Sequence, residues 1–241
     1  MKSTTLLLAL LMAPALLALP AEKPAEKPAV RKLEGDDDHE GHDHDEDDHS
    51  EEKAAPCFPS TAKVTLADGT KTNIEALKEG DHIVAADADG ALTTGSVSIL
   101  SLAKPSASAQ FVTITTQSTT LSLTPGHHLP FGEACCSMLK KAKDVEVGDQ
   151  IWAVAEGSKT ATMETVTAKS FAALKGLHSP VLTNGGYPVV DGIVTSFDDA
   201  QTVSLARATL KYLIPLCKAT GSCGLFRRTF LNADRQYIDE A

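Results

Sequence analysis

The sequence predicts an all-β domain made of two related halves, followed by a single amphipathic helix. Three observations carry this. Short β-branched runs alternate with turn dipeptides such as Asp68-Gly69, Asp89-Gly90 and Asn184-Gly185, the pattern of strands joined by tight turns. The segment from Leu77 to Ala85 is echoed by that from Val145 to Ala153, each carrying Gly-Asp ahead of an apolar run and reading as a turn that feeds a strand. From Ala200 to Ile214, Val203, Ala206, Leu210, Leu213 and Ile214 fall on one helical face, and Pro215 is expected to end the helix.

The chain opens with Met1-Lys2, an apolar stretch from Leu6 to Leu17, and small residues at Ala13, Ala15, Ala18 and Ala21. This is the pattern of a secretory signal peptide over about residues 1–21. Pro14 and Pro20 and the short run argue against a transmembrane span, which needs about 20 apolar residues. No later segment is apolar enough to span a bilayer, so a secreted, soluble product in an oxidising compartment is expected.

Residues 22–56 read as a disordered acidic segment. Ala-Glu-Lys-Pro occurs twice, and then eleven acids crowd between Asp36 and Glu52 with almost no apolar residue to bury. The net charge of -10 comes from 22 Lys plus Arg against 32 Asp plus Glu, and without this tail the balance is 22 against 21. The folded part is close to neutral and lacks the clustered basic residues of a nucleic-acid surface. His39, His42, His44 and His49 among these carboxylates are weak metal-ligand candidates for Zn, Cu or Ca, but no spacing fixes a geometry, and a solvated linker is the favoured reading.

Strands are expected over Lys63 to Leu66, His82 to Ala86, Thr93 to Leu102, Phe111 to Thr116 and Thr119 to Leu123. Others follow over Ile151 to Val154, Glu164 to Ala168, Val181-Leu182 and Pro188 to Val194. They bound a domain over residues 57–199, long enough to bury its own core, with a helical extension over 200–241.

A cysteine opens this domain in the string Cys57-Phe58-Pro59, and midway lies Leu121-Ser122-Leu123-Thr124-Pro125-Gly126-His127-His128-Leu129. With the two Gly-Asp turns and Val189 to Ser196, these residues resemble the Hint domain, the autoprocessing module shared by hedgehog precursors and inteins. The likeness spans Cys57 to about Asp199 and implies a pseudo-two-fold Hint-like β fold. It also implies an intramolecular cleavage ahead of Cys57, with the N-terminal segment as substrate.

The chemistry fits those residues. An N-to-S acyl shift turns the Pro56-Cys57 amide into a thioester, and a thiol one bond from the scissile carbonyl is placed for it. The reference thiol pKa of about 8.5 leaves little thiolate near neutrality, so a proton acceptor is needed. His127 occupies the family's position for protonating the departing nitrogen, and Thr124 that of the threonine holding the scissile amide. No cofactor is needed for this first step. His128 is expected to point the opposite way along an extended chain. His82, His128 and His178 read as ordinary surface or half-buried residues, and Asp81, Asp149 and Asp191 as turn residues beside glycine.

The chain departs from the family in three places. Pro56 stands where hedgehog proteins use glycine, which should slow attack. Val194 to Asp199 lacks the asparagine-nucleophile ending of inteins, so splicing is not expected. The hedgehog aspartate that activates a sterol hydroxyl aligns with Ser101 or Leu102, neither of which is a base, so water or a small nucleophile is expected to resolve the thioester.

Cys135, Cys136, Cys217 and Cys223 form an even set. A bond between the adjacent pair is the strained choice, so Cys135 and Cys136 are each expected to bridge to Cys217 or Cys223. The rival reading is a secreted, non-catalytic scaffold of the same fold whose acidic, His-rich tail binds metal.

Overall fold

The computed structural model describes residues 55–225. The signal peptide, the acidic segment and its four histidines lie outside the described residues. The first half of the domain contributes β1 (Lys63–Thr65), β2 (Lys71–Asn73), β3 (His82–Ala86), β4 (Leu92–Ser96), β5 (Leu102–Thr115) and β6 (Thr120–Leu123). The second contributes β7 (His128–Phe131), β8 (Met138–Lys141), β9 (Gln150–Ala153), β10 (Thr162–Thr165), β11 (Ala168–Ser179), β12 (Tyr187–Val190) and β13 (Ile193–Val194). The helix α1 (Ala200–Thr220) follows. Ten strands form one sheet along the path β2-β1-β12-β13-β9-β7-β8, with β10 on β9 and β3 and β4 joined through β12; β11, β5 and β6 form a second.

The sequence echo is a structural repeat. Each half starts with a hairpin, β1–β2 or β7–β8, and passes through a 3-10 turn at Ile74–Ala76 or Ala142–Asp144. Each then turns at a glycine in the left-handed region, Gly80 at φ 91° and Gly148 at φ 98°, where a side chain would be strained. The adjoining aspartates close these turns, since Asp81 accepts from the Lys78 N–H and Asp149 from the Glu146 N–H, both at 2.8 Å. The repeat extends further than the matching letters. The Ala62 N–H donates to the Pro59 carbonyl at 3.0 Å and the His127 N–H to the Thr124 carbonyl at 2.9 Å, and each turn feeds the first strand of its half.

Apolar side chains from both halves share one core, including Ile83, Ile114, Leu121, Leu129, Ile151 and Ile193. All six have no measurable exposure, and each contributes roughly 1.5–3 kcal/mol of burial. A second cluster lies under the helix, where Val203, Ala206, Leu210 and Ile214 pack with Tyr187, Val189 and Phe197.

The structure redraws several sequence expectations. The run from Thr93 to Leu102 is broken after Ser96, and the run from Pro188 to Val194 is a hairpin whose two-residue turn, Asp191 at φ 46° and Gly192 at φ 76°, suits Asp-Gly. The longest strands, β5 and β11, were legible only at their ends. They pair with each other along most of their length, and the pairing slips between Lys175 and Leu177. Pro105 falls in that interruption, where the ladder asks no N–H of it.

The helix also runs past Pro215 to Thr220. Proline removes one helical bond, but the buried face continues through Ile214 and Cys217, and packing outweighs that loss. The expected cysteine bridges are corrected too. Cys135 pairs with Cys136 and Cys217 with Cys223. Gly221, left-handed at φ 65°, turns the chain back at the helix end and brings the Cα atoms of Cys217 and Cys223 to 4.7 Å, within bonding reach.

Gly176 is left-handed at φ 88°, and a Cβ there would meet the Ser60 backbone nitrogen at 2.6 Å and the Ser60 side chain. Gly176→Ala should therefore cost on the order of 2 kcal/mol or more, read as a lowered urea midpoint. An unchanged midpoint would show that the slip in β5–β11 pairing is free to relax.

Candidate functional site

At the site the Thr124–His127 turn meets Cys57 and Phe58, just ahead of the Pro59–Ala62 turn. Cys57 is 1% exposed, while Ala55 and Pro56 are half-buried, so the chain passes from the surface inward at the bond ahead of the cysteine. Thr124 follows β6 and is wholly buried. Its Oγ1 accepts from the Cys57 N–H at 3.0 Å and donates to the Ala55 carbonyl at 3.1 Å, while its own N–H donates to the Cys57 carbonyl at 2.9 Å. One threonine thus holds both flanks of the Pro56-Cys57 peptide.

His127 lies at the end of the same turn, with no exposure, its ring against Phe58 at 4.3 Å between centroids and tilted by 55°. Among the described residues neither ring nitrogen has a hydrogen-bond partner of acceptable geometry. Burial, reinforced by the neighbouring His128, pushes its pKa down to about 3, against the opposing pull of the Ser196 and Cys57 backbone. The imidazole is neutral at physiological pH, so a histidine titrating near its reference value is not what the fold supplies. His128 begins β7 and is half-buried; burial first, then the charge of Lys141, lowers its pKa.

Sequence reasoning missed His178. It is 3% exposed, hydrogen-bonded through Nε2 to Ser60 Oγ at 2.9 Å, and its backbone pairs with that of Phe58. No local pattern announces this, because the partners lie 118 residues apart. His82 is exposed, as expected. Asp191 does more than turn the chain, since its carboxylate accepts from the Lys63 N–H at 3.0 Å and burial raises its pKa.

A family model described as the Hint module matches residues 45–221. The chain belongs to the Hint family. It is 30% identical over 152 residues to the Tiggy-winkle hedgehog protein of Danio rerio, covering 60% of this chain and 36% of that protein. The chain thus matches only about a third of its relative's length. Among solved structures, an Ssp DnaB mini-intein variant superposes with a TM-score of 0.51 at 13% identity, covering 59% of this chain and 94% of that one. A DnaB intein from Synechocystis gives 0.51 at 12% identity, covering 59% and 98%. These likenesses establish the Hint fold, and the match to a hedgehog protein places the chain among autoprocessing-type Hint domains.

Because His127 has a lower pKa folded than unfolded, its contribution to stability is fully present above about pH 6.5 and is lost as the pH falls toward 3. Denaturation at pH 7.5 and pH 5 should show a loss on acidification that is smaller by about 2 kcal/mol in His127→Phe, an apolar ring suited to the Phe58 contact. An equal loss in both proteins would show that His127 titrates normally in the fold.

Proposed function

We propose that this chain cuts itself ahead of Cys57 through a thioester, releasing the acidic, His-rich segment from the Hint domain of a secreted precursor. The observation that carries this reading is the double grip of Thr124 Oγ1 on Ala55 and Cys57. A hydroxyl that accepts from the Cys57 nitrogen binds more strongly as that nitrogen gains a proton, because the bond becomes charge-assisted. Thr124 therefore favours the collapsing intermediate over the resting amide.

Sulfur attacks the Pro56 carbonyl carbon, and the thiol proton leaves as the new bond forms. An ordinary thiol pKa of about 8.5 against about 3 for His127 means that the proton does not settle on the imidazole beforehand. The transfer accompanies the attack, and the imidazolium so formed, a strong acid in its buried setting, passes the proton to the Cys57 nitrogen. The C–N bond breaks, leaving a free amine on Cys57 and the N-terminal segment on its sulfur. Among the described residues no helix is long and apolar enough to cross a membrane.

Cys57→Ala should abolish release of the N-terminal segment, and His127→Ala should slow it by on the order of 10²-fold or more. Pro56→Gly should accelerate it. Electrophoresis with and without dithiothreitol, which intercepts thioesters, reads all three. A wild-type chain still intact after hours with the thiol would defeat the scheme.

Resolution of the thioester should be hydrolytic. Ser101 is committed through its hydroxyl to the Val181 backbone, and Leu102 opens β5, so neither offers a carboxylate for a sterol hydroxyl. Mass spectrometry of the released segment in the presence of cholesterol should find a free carboxyl terminus at Pro56. A sterol ester there would overturn this assignment.

A further inference from the structure

The helix α1 has two apolar faces. One carries Val203, Ala206, Leu210, Ile214 and Cys217 into the cluster beneath it. On the outer side Leu205, Tyr212 and Leu216 are 65%, 67% and 60% exposed, among the most open large apolar side chains of the described residues. With Thr209 they fall at spacings of four, three and four, which sets them in one stripe along the helix. Thr209 already donates its hydroxyl to the Leu205 carbonyl at 2.7 Å, so the stripe makes no polar demand on what covers it. Single exposed leucines need no explanation, but a helix that is apolar on both sides is built to be covered on both sides.

Past Thr220 the chain reverses. Gly221 is left-handed, and the Ser222 N–H donates back to the Cys217 carbonyl at 2.9 Å, an arrangement that closes a helix. Residues 223–225 are helical again, so only Gly221 and Ser222 separate the two helical runs. A two-residue connection joins antiparallel neighbouring helices. The Cys217–Cys223 disulfide fastens the start of the second run next to Leu216, the outer neighbour of Cys217 in sequence.

The described residues stop at Leu225, and the sequence that follows carries a matching pattern. Phe226, Phe230, Ala233 and Tyr237 recur at spacings of four, three and four, with Arg228, Asn232, Arg235 and Asp239 on the other side of the same helical wheel. Each apolar residue has a counterpart on α1 at equal distance from Gly221: Phe226 with Leu216, Phe230 with Tyr212, Ala233 with Thr209 and Tyr237 with Leu205.

We propose that residues 226–241 continue the second helix, fold back along α1 and cover the stripe from Leu205 to Leu216, making an αα-hairpin locked by the Cys217–Cys223 bond. As a helix this segment spans about 24 Å, more than the roughly 17 Å of rise from Leu205 to Leu216. Apolar residues repeating at three and four are what holds two helices together. The large side chains meet one another, and the small Ala233 meets the short Thr209.

The test is hydrogen exchange of the full chain, read by mass spectrometry. A lone helix of this length is marginal in water, so slowed exchange over 226–241 reports the docking. Those amides should exchange on the order of 10²-fold more slowly than in an unstructured peptide. Tyr212→Glu and Phe230→Glu should each bring them within about threefold of that peptide, while β5 and β11 keep wild-type protection and so show that the domain is still folded. A benzophenone amino acid in place of Tyr212, in an equal mixture of ordinary and heavy-isotope chains, identifies the cover. Illumination should join it to residues 226–241 of the same chain. Exchange at unstructured rates in the wild type, protection that survives both substitutions, or cross-links that avoid the segment would overturn the proposal. So would a cross-link between chains, which makes a second copy the cover, or protection that arises only with phosphatidylcholine vesicles, which makes it a lipid surface.

Discussion

Thr124 cannot turn away from Cys57, and the geometry of the site depends on that constraint. Its backbone N–H and its hydroxyl both engage a chain 67 residues earlier, and the hydroxyl can accept from Cys57 and donate to Ala55 only if Ala55 to Cys57 doubles back over it. Because the His127 N–H bonds to the Thr124 carbonyl, fixing Thr124 also fixes the depth of His127. The fold accepts a buried imidazole without hydrogen-bond partners among the described residues, which opposes stability by roughly 1–3 kcal/mol. Such a group is tolerated where surrounding packing over-determines it, and here Phe58 and the shared core do so.

The internal repeat explains how one chain builds such a site. The turn holding Thr124 and His127 corresponds to the turn just after Cys57, Pro59 to Ala62, and Thr124 of the one is bonded to Cys57, two residues ahead of the other. The same local fold is used once next to Cys57 and once to hold it. Only the second copy needs a hydroxyl and an imidazole, so the letters diverged where the backbone did not.

That divergence accounts for what could be read in advance. The runs at Lys63, His82, Thr119 and Ile151 announced β1, β3, β6 and β9, because each sets a buried apolar residue, Val64, Ile83, Leu121 or Ile151, between more exposed neighbours. The motif around Thr124 and His127 was visible as a string of letters. The inner lengths of β5 and β11 were not visible, since Ala, Ser and Lys carry little strand preference and each strand is held by the other. Pro215 misled for a related reason, because a docked face keeps the helix going where propensity alone would stop it. His178 gave no signal at all; its significance comes from a partner at Ser60 that only the folded chain brings near.

The order of these partners along the chain has a consequence for synthesis. A ribosome makes Cys57 first, Thr124 and His127 well after, and the end of β11 at Ser179 later still. A partly made domain owns Cys57 but neither the threonine grip nor the strand that flanks it. The site around Cys57 is therefore complete only when most of the domain has been made, and the fold itself acts as the clock.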